Sequence, residues 1–174
     1  MKIEYRHSAS KTNSFIDSPP YWIINNLYDF KSEANARMKM GSVAEQSAEH
    51  ALKNKITDEE VIIDYAKSQY IELKGDESDD ECLWSGIIAN QFVKELPQFG
   101  DVISYQREIV SPGEKYGLKF DVKGVTDFEF DDVIIDTKAT AYIKRLKSGA
   151  IDSRWYPKDA DLRQQALYKD LFNK

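Results

Sequence analysis

The apolar residues of this chain change their period near residue 100, and that change decides the fold class. Residues 32–54 (SEANARMKMGSVAEQSAEHALKN) are rich in Ala, Met, Glu and Lys, and these strong helix formers predict one long helix. Apolar residues at 61, 62, 65 and 66 have helical spacing and predict a second helix over 58–73. A third covers 82–96 and stops at Pro97. Ahead of these, cap-forming residues and Pro19–Pro20 predict two short helices, around 10–17 and 20–28. Beyond residue 100 the pattern differs. DVISYQREIV (101–110), GLKFDVKGVTDFEF (117–130) and DVIIDTKATAY (132–142) are β-branched and aromatic with turn residues between them. They read as three consecutive antiparallel strands, and DLRQQALYKDLF (161–172) then reads as a helix with Asp161 at its start. Helices, a meander and a final helix make an α+β protein, a sheet flanked by helices.

A length of 174 residues suits a single domain over 1–174, with 1–97 mainly helical and 101–174 carrying the strands and last helix. Hydrophobic residues at 41% and charged residues at 31% balance as in a globular protein rather than a disordered one. No apolar run approaches the roughly 20 residues of a membrane span. The opening MKIEYRHSAS lacks the apolar stretch of a secretory signal, so the expected location is the cytoplasm. The single cysteine, Cys82, excludes an internal disulfide, a four-cysteine zinc site and a cysteine-ligated iron–sulfur cluster.

The net charge of −6 argues only mildly against a nucleic-acid partner, because it averages two unlike regions. Residues 56–101 hold 12 acidic and 3 basic residues, a net of −9, whereas residues 138–174 hold 9 basic and 4 acidic, a net of +5. A polyanion is drawn to the second region and repelled by the first. The acidic run GDESDDE reads most simply as a solvated loop.

Residues 124–140, GVTDFEFDDVIIDTKAT, carry the chemistry. If Asp131–Asp132 form a two-residue turn, Asp127 lies directly across from Asp136 and Val125 across from Lys138. Alternation then puts Asp127, Asp136 and Lys138 on one face, and Phe128, Phe130, Val133 and Ile135 on the other. Opposed residues have Cβ atoms about 5 Å apart, where like charges destabilise. Two carboxylates that close call for a divalent cation or a proton. Asp-Asp is a weaker hairpin signal than Asn-Gly, and a longer loop or bulge would shift the register by one or two positions. Such a set suits metal-assisted phosphodiester hydrolysis. Asp127, Asp136 and the Thr137 carbonyl would hold a cation, and Lys138 would orient the attacking water or offset charge in the transition state. Read alone, D-x-K is a weak pattern that a surface hairpin with scattered charges explains better.

Taken with other segments, the hairpin resembles the central motif of the PD-(D/E)XK nuclease superfamily, in particular its RecB-like branch of phage recombination exonucleases and Cas4-type proteins. The stretch SASKTNSFIDSPPYW (8–22) resembles that branch's opening helix, with Ser18 where a cysteine often precedes the proline. Gly41-Ser-Val-Ala-Glu45-x-x-x-Glu49 resembles its G-x-x-x-(H/E)-x-x-x-E helix, and Gln164-Gln-Ala-Leu-Tyr168 its Q-x-x-x-Y motif. The motifs stand in the family's order over nearly the whole chain.

The resemblance implies a restriction-endonuclease-like core, a mixed sheet with an antiparallel meander, acting as a divalent-metal-dependent DNA exonuclease in recombination or repair. It implies catalytic and metal roles for Asp127, Asp136, Lys138 and Glu45, and contacts from Gln164 and Tyr168 to the substrate strand. An all-oxygen site favours Mg²⁺ or Mn²⁺. Glu45, Glu49 and Gly41 share a helix face, and a small Gly41 would permit close approach to the hairpin. Lys144, Arg145, Arg154 and Trp155, with Tyr156, combine cations and aromatics as a groove for DNA ends requires, although a plain surface loop explains them nearly as well. His7 and His50 read as ordinary surface residues. Relatives add at least one more strand after the Q-x-x-x-Y helix, so the expectation is a minimal version, a truncated chain, or one completed by a partner, either a recombination protein or a second copy of the chain. Two rival readings stand: an endonuclease on the same core, and a non-catalytic DNA-binding or assembly module with a nuclease-like fold.

Overall fold

The computed structural model describes residues 7–8, 14–27, 33–137 and 159–172. The elements run β1 (His7–Ser8), α1 (Pro19–Leu27), α2 (Ala36–Asn54), α3 (Glu59–Glu72), α4 (Asp80–Glu95), β2 (Ser104–Ser111), β3 (Val122–Glu129), β4 (Ile134–Ile135) and α5 (Asp159–Phe172). Residues 14–17 add a helical turn before α1, and two 3-10 turns, Leu96–Phe99 and Gly113–Tyr116, flank β2. No helix of the described residues is long and apolar enough to cross a membrane.

Local chemistry sets the helix ends. Asn35 caps α2 by accepting the Met38 N–H at 3.0 Å, and Lys55 ends it in the left-handed region (φ 54°). Asp58 caps α3 by accepting the N–H groups of Glu60 and Val61, with Glu59 and Glu60 complementing the dipole in the first turn. The buried stripe of α2 is Met40, Val43, Ala44, Ser47, Ala48 and Ala51, mostly small residues that allow close approach. Helix α4 approaches α3 at Gly86, where a Cβ would come within 2.8 Å of the Ile63 Cα. The three helices bury two apolar clusters. Met40, Val43, Ala66, Tyr70 and Cys82 form one, and Ala48, Ala51, Ile62, Ala89, Val93 and Leu96 join Phe128 and Phe130 of the sheet side in the other.

Strand β3 is central. Antiparallel β2 pairs with it from Ser104↔Glu129 to Ser111↔Val122 along one edge. Along the other edge lie parallel β1 (His7↔Val122) and antiparallel β4 (Phe128↔Ile135). The Phe130 N–H donates to the Val133 carbonyl at 2.9 Å and closes a two-residue turn at Asp131–Asp132. The expected register is therefore the observed one, and Val133 and Ile135 pack with Phe128 and Phe130 on the core face. The fold is α+β, an antiparallel three-strand meander flanked by helices.

Several boundaries differ from expectation. The strand expected from 117 begins at Val122, because Gly117 adopts φ 68° and Leu118 turns back to hydrogen-bond the Gly113 carbonyl. The strand expected over 101–110 runs from Ser104 to Ser111. That expected over 132–142 is Ile134–Ile135, with 138–142 outside the described residues. Helical backbone continues past Pro97 as a 3-10 turn, since a proline near the start of such a turn lacks only an N–H that would be unpaired there. Helix α5 starts at Asp159, two residues before Asp161. It packs on β2 and β3 where Gly124 leaves room.

Candidate active site

The site is organised around Asp127, which alternation places on the face of β3 opposite the core residues Phe128 and Phe130. Its Oδ2 accepts the Thr137 N–H at 2.7 Å and the Thr137 hydroxyl at 3.0 Å, and its Oδ1 accepts Gln106 Nε2 at 3.3 Å. The hydrogen bonds it accepts from described residues thus come from neutral donors, which orient the carboxylate without cancelling its charge. The β3–β4 ladder ends at Phe128↔Ile135, and the same register continued one step would set Asp127 across from Asp136, as the turn at Asp131–Asp132 leads one to expect. Thr137, expected to offer its carbonyl to a cation, is buried and engages Asp127 through its N–H and hydroxyl.

Helix α5 reaches the hairpin through the two residues singled out by the Q-x-x-x-Y pattern. Gln164 and Tyr168 are one turn apart on one face. Gln164 Nε2 donates to Asp136 Oδ1 at 2.8 Å and to the Tyr168 hydroxyl at 3.0 Å, and that hydroxyl donates to the Val125 carbonyl of β3. Both amide protons are used. Tyr168 is buried against Phe172, with ring centroids 5.8 Å apart, and both rings lie over Gly124. The chain therefore runs from β3 through Tyr168 and Gln164 to Asp136.

Glu45 lies on the other side. It lines a cavity of about 190 Å³ with Ser42, Gln46 and Glu49 of α2 and Gln106 of β2. Glu49 is paired with Lys53, whose ammonium lies 4.7 Å from the centroid of the Tyr105 ring. Burial pushes the Tyr105 phenol above its ordinary value, with Lys53 opposing and Glu49 adding to the shift. His50 stacks on Tyr65 with centroids 4.0 Å apart, in keeping with an ordinary helix residue. Asp136 and Thr137 instead border an apolar groove that includes Phe99, Ile134 and Leu162. Asp127 links the two openings through Gln106 on one side and Thr137 on the other.

The structure thus brings Gln164 and Tyr168 to Asp136, and Glu45 to Gln106. Among the described residues, no three His, Cys, Asp or Glu side chains gather as a set able to hold a metal ion. Lys138, Lys144, Arg145, Arg154 and Trp155 lie outside the described residues. The oxygen-only chemistry of Asp127, Asp136 and Glu45 fits a hard cation such as Mg²⁺ or Mn²⁺, and the hydrogen bonds of Asp127 to neutral donors alone among the described residues favour it.

Two features were not anticipated from sequence. Gln106 has no motif around it and becomes visible only once β2 is paired with β3. Glu129, 2% exposed, receives Arg107 Nη1 on both carboxylate oxygens, at 2.7 and 2.8 Å, and the Ser104 hydroxyl at 2.7 Å. That cluster pins β2 to β3 beside the site, a buried charge answered by a pair and a hydroxyl. Comparison with family models, curated proteins and solved structures finds no match to this chain at a significant level.

Proposed function

We propose that this chain is a divalent-metal-dependent DNA exonuclease with a restriction-endonuclease-like core. What supports the reading is the Phe128↔Ile135 pairing, whose register continued one step sets Asp127 across from Asp136, with Asp127 held only by neutral donors among the described residues. Asp127, Asp136, Glu45 and the Thr137 carbonyl would hold Mg²⁺ or Mn²⁺. A metal held there would polarise a phosphoryl oxygen and lower the pKa of a bound water. The protein's own residues do the remaining work. Lys138 orients the attacking water and offsets charge developing on the phosphoryl oxygens. Gln164 fixes the direction of the Asp136 carboxylate, Tyr168 ties Gln164 to β3, and the pair borders the strand being cut. Lys144, Arg145 and Arg154 follow phosphates, and Trp155 stacks on a base at the DNA end.

The test offers end-labelled linear duplex and covalently closed circular DNA side by side with Mg²⁺ or Mn²⁺, with Lys138→Ala as control. Loss of the linear DNA alone, abolished in the variant, is the expected result. Cutting of the circle moves the reading to an endonuclease on the same residues, and no cutting of either refutes it. One observation favours a second reading, a DNA-binding or assembly module without catalysis: no three-residue metal set is gathered among the described residues. Duplex binding that is equal with and without metal, together with no cutting, is the outcome that reading predicts.

A further inference from the structure

We propose that Gln106 is a positioning residue for the carboxylate of Asp127, an inference that rests on reading the site as a metal centre. Gln106 stands inside β2 with φ 47°, in the left-handed region that residues other than glycine enter at a cost. The strain does not serve the strand pairing. Tyr105↔Phe128 on one side of it and Arg107↔Thr126 on the other keep a single register, so no residue is inserted or skipped. Nor does it serve a chain reversal, because Gln106 is the third residue of an eight-residue strand. Its consequence lies in the side chain. The carboxamide donates to Asp127 Oδ1 at 3.3 Å, and the residue forms the sheet-side wall of the cavity whose other walls are Ser42, Glu45, Gln46 and Glu49 of α2. Strained backbone persists where the surroundings over-determine it, and it clusters at functional sites.

The residue type matters as much as the placement. An amide locks Oδ1 while leaving the carboxylate its full charge, whereas a lysine or arginine there would compete with a cation. Thr137 locks Oδ2 by two bonds, so the carboxylate is held from both sides. Gln106 is thus the described residue that joins the Glu45 cavity to Asp127. Partners that orient a ligating carboxylate in this way typically govern metal affinity by 10–100-fold.

Two variants separate side chain from backbone. Gln106→Met keeps length and shape without a donor, and Gln106→Gly relaxes the backbone and removes the side chain. Melting temperature is followed against Mn²⁺ concentration on the full chain without DNA, with cutting of linear duplex as the second readout. Without metal, the Met variant should melt within about 2 °C of the native protein and the Gly variant at the same temperature or higher. Both should need roughly 10-fold more Mn²⁺ for half-maximal stabilisation, and the Mn²⁺ concentration that half-activates cutting should rise by about the same factor. A Gly variant that gains stability yet loses metal affinity is a pattern no purely structural role produces, and it carries the test if the Met variant fails to fold. A native response to Mn²⁺ that both variants share overturns the role of Gln106 alone. A native protein that does not respond to Mn²⁺ overturns this role together with the metal reading.

Discussion

Gly124→Ala tests how the last helix is seated on the candidate site. An added Cβ would lie 2.7 Å from Leu171 Cδ1, 3.2 Å from Phe172 Cε2 and 3.3 Å from Tyr168 Cε1. The first contact must yield, and the other two are tighter than ordinary van der Waals distance. Overpacking of this kind costs roughly 1–3 kcal/mol. Replacing a strand glycine by alanine returns roughly 0.5–1 kcal/mol through the unfolded chain. The net loss is at most about 2.5 kcal/mol, which lowers the melting temperature of a chain this size by up to roughly 10 °C. The strain falls on the helix that carries Gln164 and Tyr168, so their bonds to Asp136 and the Val125 carbonyl should loosen together. Urea unfolding of a double-mutant cycle with Leu171→Ala isolates the contact. Leu171→Ala removes the nearest obstacle, and the pair should be less destabilised than the two single changes added, by at least about 0.5 kcal/mol. Additive costs, or a Gly124→Ala protein more stable than the native one, would refute the argument that Gly124 is there to admit α5.

Arg107→Ala deprives the buried Glu129 carboxylate of its arginine and should cost about 3 kcal/mol in urea unfolding, the lower end for a broken buried pair because Arg107 is itself half exposed. Lys123→Ala, which breaks the more exposed pair with Glu108, should cost under about 1 kcal/mol in the same assay. Asp58→Ala removes the α3 cap and should cost about 1 kcal/mol, with Asp58→Asn recovering most of it. Asp170 responds to pH in a defined direction. The Tyr116 hydroxyl, and then the Lys115 ammonium, hold its carboxyl below the usual carboxylate range. Its stabilisation is therefore complete above the unfolded pKa, about 3.9, and is lost as pH falls through the lowered folded value. Melting curves of Asp170→Asn should lie slightly below those of the native protein at pH 7 and converge on them below about pH 4.

The hairpin was legible because two independent signals agreed: alternation along VTDFEF and VIID, and a polar Asp131–Asp132 pair between them. Helix α2 was legible from its helix formers, although its start at Ala36 depends on the Asn35 side chain rather than on composition. The loop at 117–121 misled because Leu118 and Phe120 look like strand residues, while the positive φ of Gly117 decides the backbone. The start of helix α5 at Asp159 was not legible because two aspartates two residues apart give the same helix-start signal by residue type. The site divides the same way. Gln164 and Tyr168 share a helix face by spacing alone, and the structure joins them to Asp136 and to β3. Gln106 lies 21 residues from Asp127, and its role is created by strand pairing and a left-handed backbone that no local pattern announces. Glu45 opens on the Gln106 cavity and Asp136 on the apolar groove, a placement set by packing between elements that periodicity does not encode.

The central claim, that the hairpin carboxylates hold a divalent cation, is tested most directly by titrating Mn²⁺ into the DNA-free protein by calorimetry, beside Asp127→Asn and Asp136→Asn. The account predicts saturable binding to the native chain that either substitution weakens at least roughly 10-fold while leaving the fold intact. Absence of binding to the native chain, or equal binding to all three proteins, would contradict it.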